Sequence, residues 1–189
     1  MINSKQEYLF YLSEDLRYHN LKKYTIMDYL KNDVLRFQRR LRKIEYLTNC
    51  RRGNVLLKPY YLLLKLLNRR LALKLSFQIP INVFGPGLCI VHYGTIVVSP
   101  KCKVGRNCRI HPCTVLGEYH GAPVLGDNVY IGPGAKLFGD IKIGNNVAIG
   151  ANSVVNKSFP DNITIGGIPA KILSNKSTKE LGMYPKELE

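Results

Sequence analysis

Four histidines are the side chains best suited to proton chemistry near neutral pH: His19, His92, His111 and His120. An imidazole can take a proton and return it within one reaction, because its ordinary pKa lies close to working pH. His92 and His111 are nineteen residues apart. His120 belongs to the segment Gly117-Glu118-Tyr119-His120-Gly121-Ala122-Pro123, where Glu118 adds a carboxylate. His19, in the polar stretch YHNLKK, reads as a surface residue. The five cysteines (Cys50, Cys89, Cys102, Cys108, Cys113) include no CxxC pair and are odd in number, which reads as reduced thiols. No spacing among these residues marks a metal site.

What must position the histidines is a six-residue beat. Its units open on Val104, Ile110, Leu125, Ile131, Leu137, Ile143 and Ile149, often followed by Gly, with a small or β-branched residue four places on. Such self-similarity marks a parallel β-helix, a solenoid in which each hexad makes one short strand and one bend. The opener points into the axis, and the Gly beside it is expected to accept backbone angles that side chains disfavour. Three hexads make a triangular turn, so stacked residues recur about every eighteen positions and His92 and His111 fall near one another on adjacent turns. Cys102 and Cys108 fall on the small-residue beat and read as inert wall residues. The beat breaks around His92, at 117–123, and at SFPDN (158–162), and breaks are where solenoids carry function.

Ahead of the coil, residues 1–76 read as an α-helical segment, and 174–189 as a loose or short helical tail. Val34, Phe37, Leu41 and Ile44 form one helical stripe; a helix there starts at Thr25 or is capped by Asn32 or Asp33. Pro59 suits the first turn of another helix, with Tyr60, Leu63, Leu64, Leu67 and Leu71 as its apolar side. Residues 1–80 hold 17 basic and 6 acidic side chains, against 11 and 7 in the remainder. This asymmetry points to an anionic partner, and a membrane surface suits the basic helices. Nucleic acid is set aside, because charge comes without a stacking platform or binding motif. The opening MINSKQEYLF lacks an apolar run long enough for an export signal, and YYLLLKLLNRRLALKL is too interrupted to span a bilayer. The expected location is cytoplasmic, at the inner face of the membrane.

GLCIVHYGTIVV, the hexads and IGGIPAKIL together resemble the hexapeptide-repeat acyltransferases of the serine acetyltransferase type over residues 77–173. FQRRLRKIEYL resembles the helical lead-in of relatives from surface-polysaccharide synthesis. The resemblance implies a left-handed β-helix, an exception to the usual crossover hand. It also implies homotrimers, with pairing into hexamers left open, and acetyl-CoA as co-substrate. It makes His92 the general base, with Glu118, His111 or a backbone carbonyl left open as the group that orients it. It places the pantetheine arm along Gly134, Ala135, Ala151 and Ser153, with Gly167 nearer the nucleotide and Lys171 toward a CoA phosphate.

Departures from the family bear on the acceptor. Val91 stands where serine acetyltransferases have Asp before the His, Phe77 where they have Asp fifteen residues earlier, and Gly121-Ala122 where they have Arg-His before a Pro. His120 is a loose substitute. Without charged partners a zwitterion binds poorly. The expectation is therefore O-acetylation of a neutral hydroxyl on a sugar of a surface polysaccharide. The alternatives are a serine O-acetyltransferase of cysteine biosynthesis and a non-catalytic β-helix scaffold. A zinc hydratase on the same coil would need two His five residues apart, and His111 and His120 are nine apart.

Overall fold

The computed structural model describes residues 1–184. Four helices come first: α1 (Lys5–Tyr18), α2 (Ile26–Lys31), α3 (Asp33–Cys50) and α4 (Lys58–Leu75), with a 3-10 turn at Val55–Leu57. Their starts follow from the sequence. Ser4 accepts the Glu7 amide, Thr25 and Asp28 form a capping box, and the Asn32 side chain accepts the Leu35 amide. Thr25 and Asn32 thus open two successive helices. Ser76, in the left-handed conformation, ends α4.

The remainder is a solenoid of about five turns with three walls. One wall stacks Phe77–Gln78, Ile96–Val98, Thr114–Gly117, Lys136–Phe138 and Val154–Val155. A second stacks Lys103–Val104, Val124–Leu125 and Lys142–Ile143, and a third Cys89–Ile90, Arg109–Ile110, Tyr130–Ile131, Ala148–Ile149 and Thr164–Gly167. All these pairings are parallel; Ala170–Ser174 then folds back antiparallel on the third wall. The register stacks Ile90, Ile110, Ile131, Ile149 and Ile165 in one column, each with no exposed surface. These are the openers of the beat, and hydrophobic burial along the axis is what holds one turn on the next. Val34, Phe37, Leu41, Leu71 and Leu75 join the same core, so α3 and α4 cap the first turn.

Three expectations need correction. The glycines beside the openers serve close approach, not unusual angles: a Cβ on Gly105 would lie 2.7 Å from the Gly126 carbonyl oxygen of the next turn. The left-handed corners are instead occupied by Asn107, Asn128, Asn146 and Asn162, whose short amides tolerate that conformation. Their side chains form a ladder, each Nδ2 donating to the next Oδ1 at 2.8 Å. On α4 the buried residues are Leu64, Asn68, Leu71 and Leu75, while Tyr60, Leu63 and Leu67 are exposed. Ser177–Met183 does not hang loose. Thr178 is buried and donates to the Asn128 carbonyl, and Tyr18 donates to that of Met183.

Candidate active site

His92 lies on the bend between Cys89–Ile90 and Ile96–Val98, and it is exposed to solvent. The bends beneath it carry His111-Pro112-Cys113, Gly132-Pro133-Gly134, Gly150-Ala151-Asn152 and Gly166-Gly167-Ile168. Their stacking is fixed by backbone hydrogen bonds, in which the amides of Val91, His111, Gly132 and Gly150 donate to the carbonyls of Ile110, Ile131, Ile149 and Ile165 at 2.8–3.2 Å. Gly134 donates in turn to Pro112, and Asn152 to Pro133. One edge of the prism is thus a column about 19 Å tall, four coil steps of roughly 4.8 Å. Imidazoles stand at its top and glycines dominate below. The Lys136 ammonium sits on this edge, donating to the carbonyls of Cys113 and Gly134 at 2.7 Å each. Lys171, exposed, pairs with Gly166 at the foot.

A cleft of about 730 Å³ opens beside His92, between the coil and the turn joining α2 to α3. His19, Asp28, Lys31, Asp33, Lys74 and Tyr93 contribute to its walls. His19 is not a surface residue: its Nε2 lies 3.2 Å from Gln38 Oε1, and its Nδ1 3.7 Å from Cys89 Sγ. Burial pushes its pKa down, against the raising effects of Gln38 and Asp15. Asp28 caps α2 through Thr25, and these hydrogen bonds hold its carboxyl below the usual range. Asp33 pairs with Arg36 and with Lys74. Charged groups of both signs from the helical segment therefore line the cleft that His92 also lines.

Residues 122–157 match the family described as bacterial transferase hexapeptide (six repeats). Over 100 residues the chain is 41% identical to serine acetyltransferase of Staphylococcus aureus (strain Mu50 / ATCC 700699), covering 50% of this chain and 47% of the relative. The chain thus spans about half the length of the curated relatives it matches. The crystal structure of serine acetyltransferase from Brucella abortus strain S19 superposes with a TM-score of 0.72 at 27% identity, over 91% of this chain and 71% of that one. A serine acetyltransferase in complex with CoA shares the fold, with a TM-score of 0.69 at 24% identity over 89% and 71% of the two chains. The fold is the hexapeptide-repeat left-handed β-helix.

On this hexapeptide-repeat coil the expected site residues divide. Gly134, Ala151 and Gly167 lie on the bend column below His92 and His111. Ala135 and Ser153 do not face outward; both are wholly buried, and Ser153 Oγ donates to the Gly150 carbonyl. Within one chain Glu118 is turned away from His92: it is held by Lys101 at 2.6 Å and Ser99 at 3.2 Å. The strand Thr114–Gly117 separates Glu118 and His120 from the bend column by about 13 Å of extended chain. His120 is exposed, its ring edge-on to Tyr119 at 4.4 Å. Among the described residues no group of three or more His, Cys, Asp or Glu is arranged to hold a metal ion. Cys89 and Cys102 are buried, and burial pushes their thiols up to about 12 and about 11.

His111 packs against Tyr130, ring centroids 5.0 Å apart, and its Nε2 is buried with no partner within the chain. Burial, then the charges of Arg109 and His92, lower its pKa to about 4. It is neutral where His92 would work. The folded chain thus binds fewer protons than the unfolded one between about pH 4 and the ordinary histidine value near 6.5. Stability is full above that window and falls as pH drops through it. His111→Gln is expected to flatten this loss by on the order of 1 kcal/mol, discounted for the half-exposed ring, in urea titrations at successive pH values.

Proposed function

We propose that the chain transfers an acetyl group from acetyl-CoA to a hydroxyl, with His92 as general base. The observation that carries this reading is the bend column, with an exposed imidazole at its head above small residues that let an extended arm lie against the backbone. The acetyl thioester would stand at His92, the pantetheine arm would follow Gly134 and Ala151, and the nucleotide would lie toward Gly167 and Lys171. His92 takes the hydroxyl proton as the oxygen attacks the thioester carbonyl. The new C–O bond replaces the C–S bond, and the imidazolium returns the proton to the departing thiolate. A backbone N–H aimed at the developing oxyanion would stabilise it. A homotrimer would close the outer side of the column with a neighbouring copy, and would bring a second chain's 117–123 loop into range.

L-serine is the leading acceptor. The similar proteins bear its name, and side chains of both charges line the cleft beside His92. Lys31 would meet the serine carboxylate; Asp28 would meet its ammonium in competition with Thr25, and Asp33 and Lys74, which hold each other at 2.7 Å, would have to part to contribute. A neutral sugar hydroxyl is the second reading, favoured by Val91 beside His92 and by buried Phe77, which packs edge-on against Phe37 at 5.2 Å. Thiol release from acetyl-CoA, measured with L-serine and with a panel of sugars and sugar nucleotides, separates them. Turnover with L-serine at least about tenfold above every sugar is expected. The reverse order would transfer the assignment to the sugar reading. No release with any acceptor would count against acyl transfer itself.

A further inference from the structure

We propose that the outward face of α4 docks on the surface of an anionic phospholipid bilayer. At 3.6 residues per turn, Leu62, Leu66 and Leu73 fall within an arc of about 40°, opposite the buried side of the helix. They are 54%, 47% and 72% exposed. Lys65 and Arg69 flank this stripe on one side, Arg70 and Lys74 on the other, and all four are exposed. An apolar stripe between two rows of cations is the pattern of a helix lying in a membrane interface. The chain just before α4 extends it, with Val55 and Leu56 78% and 90% exposed.

A second feature points the same way. Beside Leu62 and Val55 a cleft of about 550 Å³ contains Arg51, Arg52 and Lys58 and no acidic side chain. It would receive an anionic headgroup, and Val55, Leu57 and Leu62 line it as well. The sequence has no Asp or Glu from Tyr46 to Gly117, so α4 carries no acid of its own, and of the four cations Lys74 is met by Asp33 of α3. A second copy of the same face would set cations against cations in a chain of net charge +15. An anionic bilayer supplies both the opposite charge and an apolar boundary. Among the described residues no helix is long and apolar enough to cross a membrane, so the contact is with its surface. Apart from Lys74, which also lines the His92 cleft, the surface shares no residue with the candidate active site, and none of the positions varied below belongs to that site.

The test is co-sedimentation of the full chain with phosphatidylcholine vesicles and with phosphatidylcholine–phosphatidylglycerol vesicles. Binding is expected to the mixed vesicles, weakening as salt is raised. The combined variant Leu62→Ser, Leu66→Ser, Leu73→Ser keeps every charge, and its partition should fall by about tenfold or more. Arg69→Glu with Arg70→Glu should lower binding to mixed vesicles alone. Because all five positions are exposed, unchanged circular dichroism and melting are expected. Absence of binding at low salt would overturn the proposal. So would equal binding by the serine variant, which would mean adsorption through net charge only. A smaller assembly for that variant in light scattering, with its fold intact, would assign the face to subunit contact instead.

Discussion

Replacing His92 with alanine is expected to lower kcat for acetyl transfer by about 10²- to 10⁴-fold. Acetyl-CoA affinity should change little, because the bends that would carry the arm, Gly132–Gly134 and Gly150–Asn152, hold their positions through backbone bonds that do not involve residue 92. The effect should therefore appear in kcat and not in KM for the thioester. A missing base at an exposed position also leaves room for a small one. Added imidazole should restore part of the lost turnover in His92→Ala, and none in a variant whose fold has failed. His111→Ala is the contrast. Its low pKa makes it a poor base, and its expected effect comes through packing against Tyr130. Unchanged turnover in His92→Ala, with normal CoA binding, would favour a non-catalytic coil.

The coil was legible because its period repeats: one register, Ile90 through Ile165, satisfies every turn at once. The sequence also held the answer on Ala135 and Ser153. Both occupy the small-residue position of the beat, which faces inward, and that rule outweighs their place in the family's ligand track. The cleft was not legible. Nothing local to His19, Asp28 or Asp33 says that the turn between α2 and α3 folds over the His92 bend, because that contact joins segments about sixty residues apart. Helix periodicity misassigned Tyr60, Leu63 and Leu67 for a related reason. Helix α4 has leucines nearly all round, so the pattern alone does not say which side meets the coil. Glu118 is drawn aside within its own chain because Lys101, its partner, lies on the preceding turn.

The largest stability effect is expected at Arg42, which binds the helical segment to the coil. Its guanidinium has no exposed surface. It pairs with Asp15 of α1 through two nitrogens at 2.9 and 3.2 Å and with Glu45 at 3.0 Å. It also donates to the Phe84 and Gly85 carbonyls at 2.8 and 2.6 Å. Burial opposes its charge, but the two carboxylates raise its pKa further. Asp15 also accepts the Gly87 and Leu88 amides, and Glu45 the Asn82 amide, so three chain segments meet on one cation. Arg42→Met would leave two buried carboxylates without a counter-charge, and a loss of about 3–5 kcal/mol is expected in urea unfolding. That is a large share of the roughly 5–15 kcal/mol that holds a domain of this kind together. Arg42→Lys should also destabilise, since a compact ammonium cannot reach five acceptors spread around a planar fork. Because α1 and α3 carry His19 and Asp33 to the cleft, activity should fall with stability in both variants. A midpoint shift worth less than about 1 kcal/mol for Arg42→Met would show that apolar packing of Phe37 and Leu41 on the first turn, not this cluster, fixes the helices over the His92 bend.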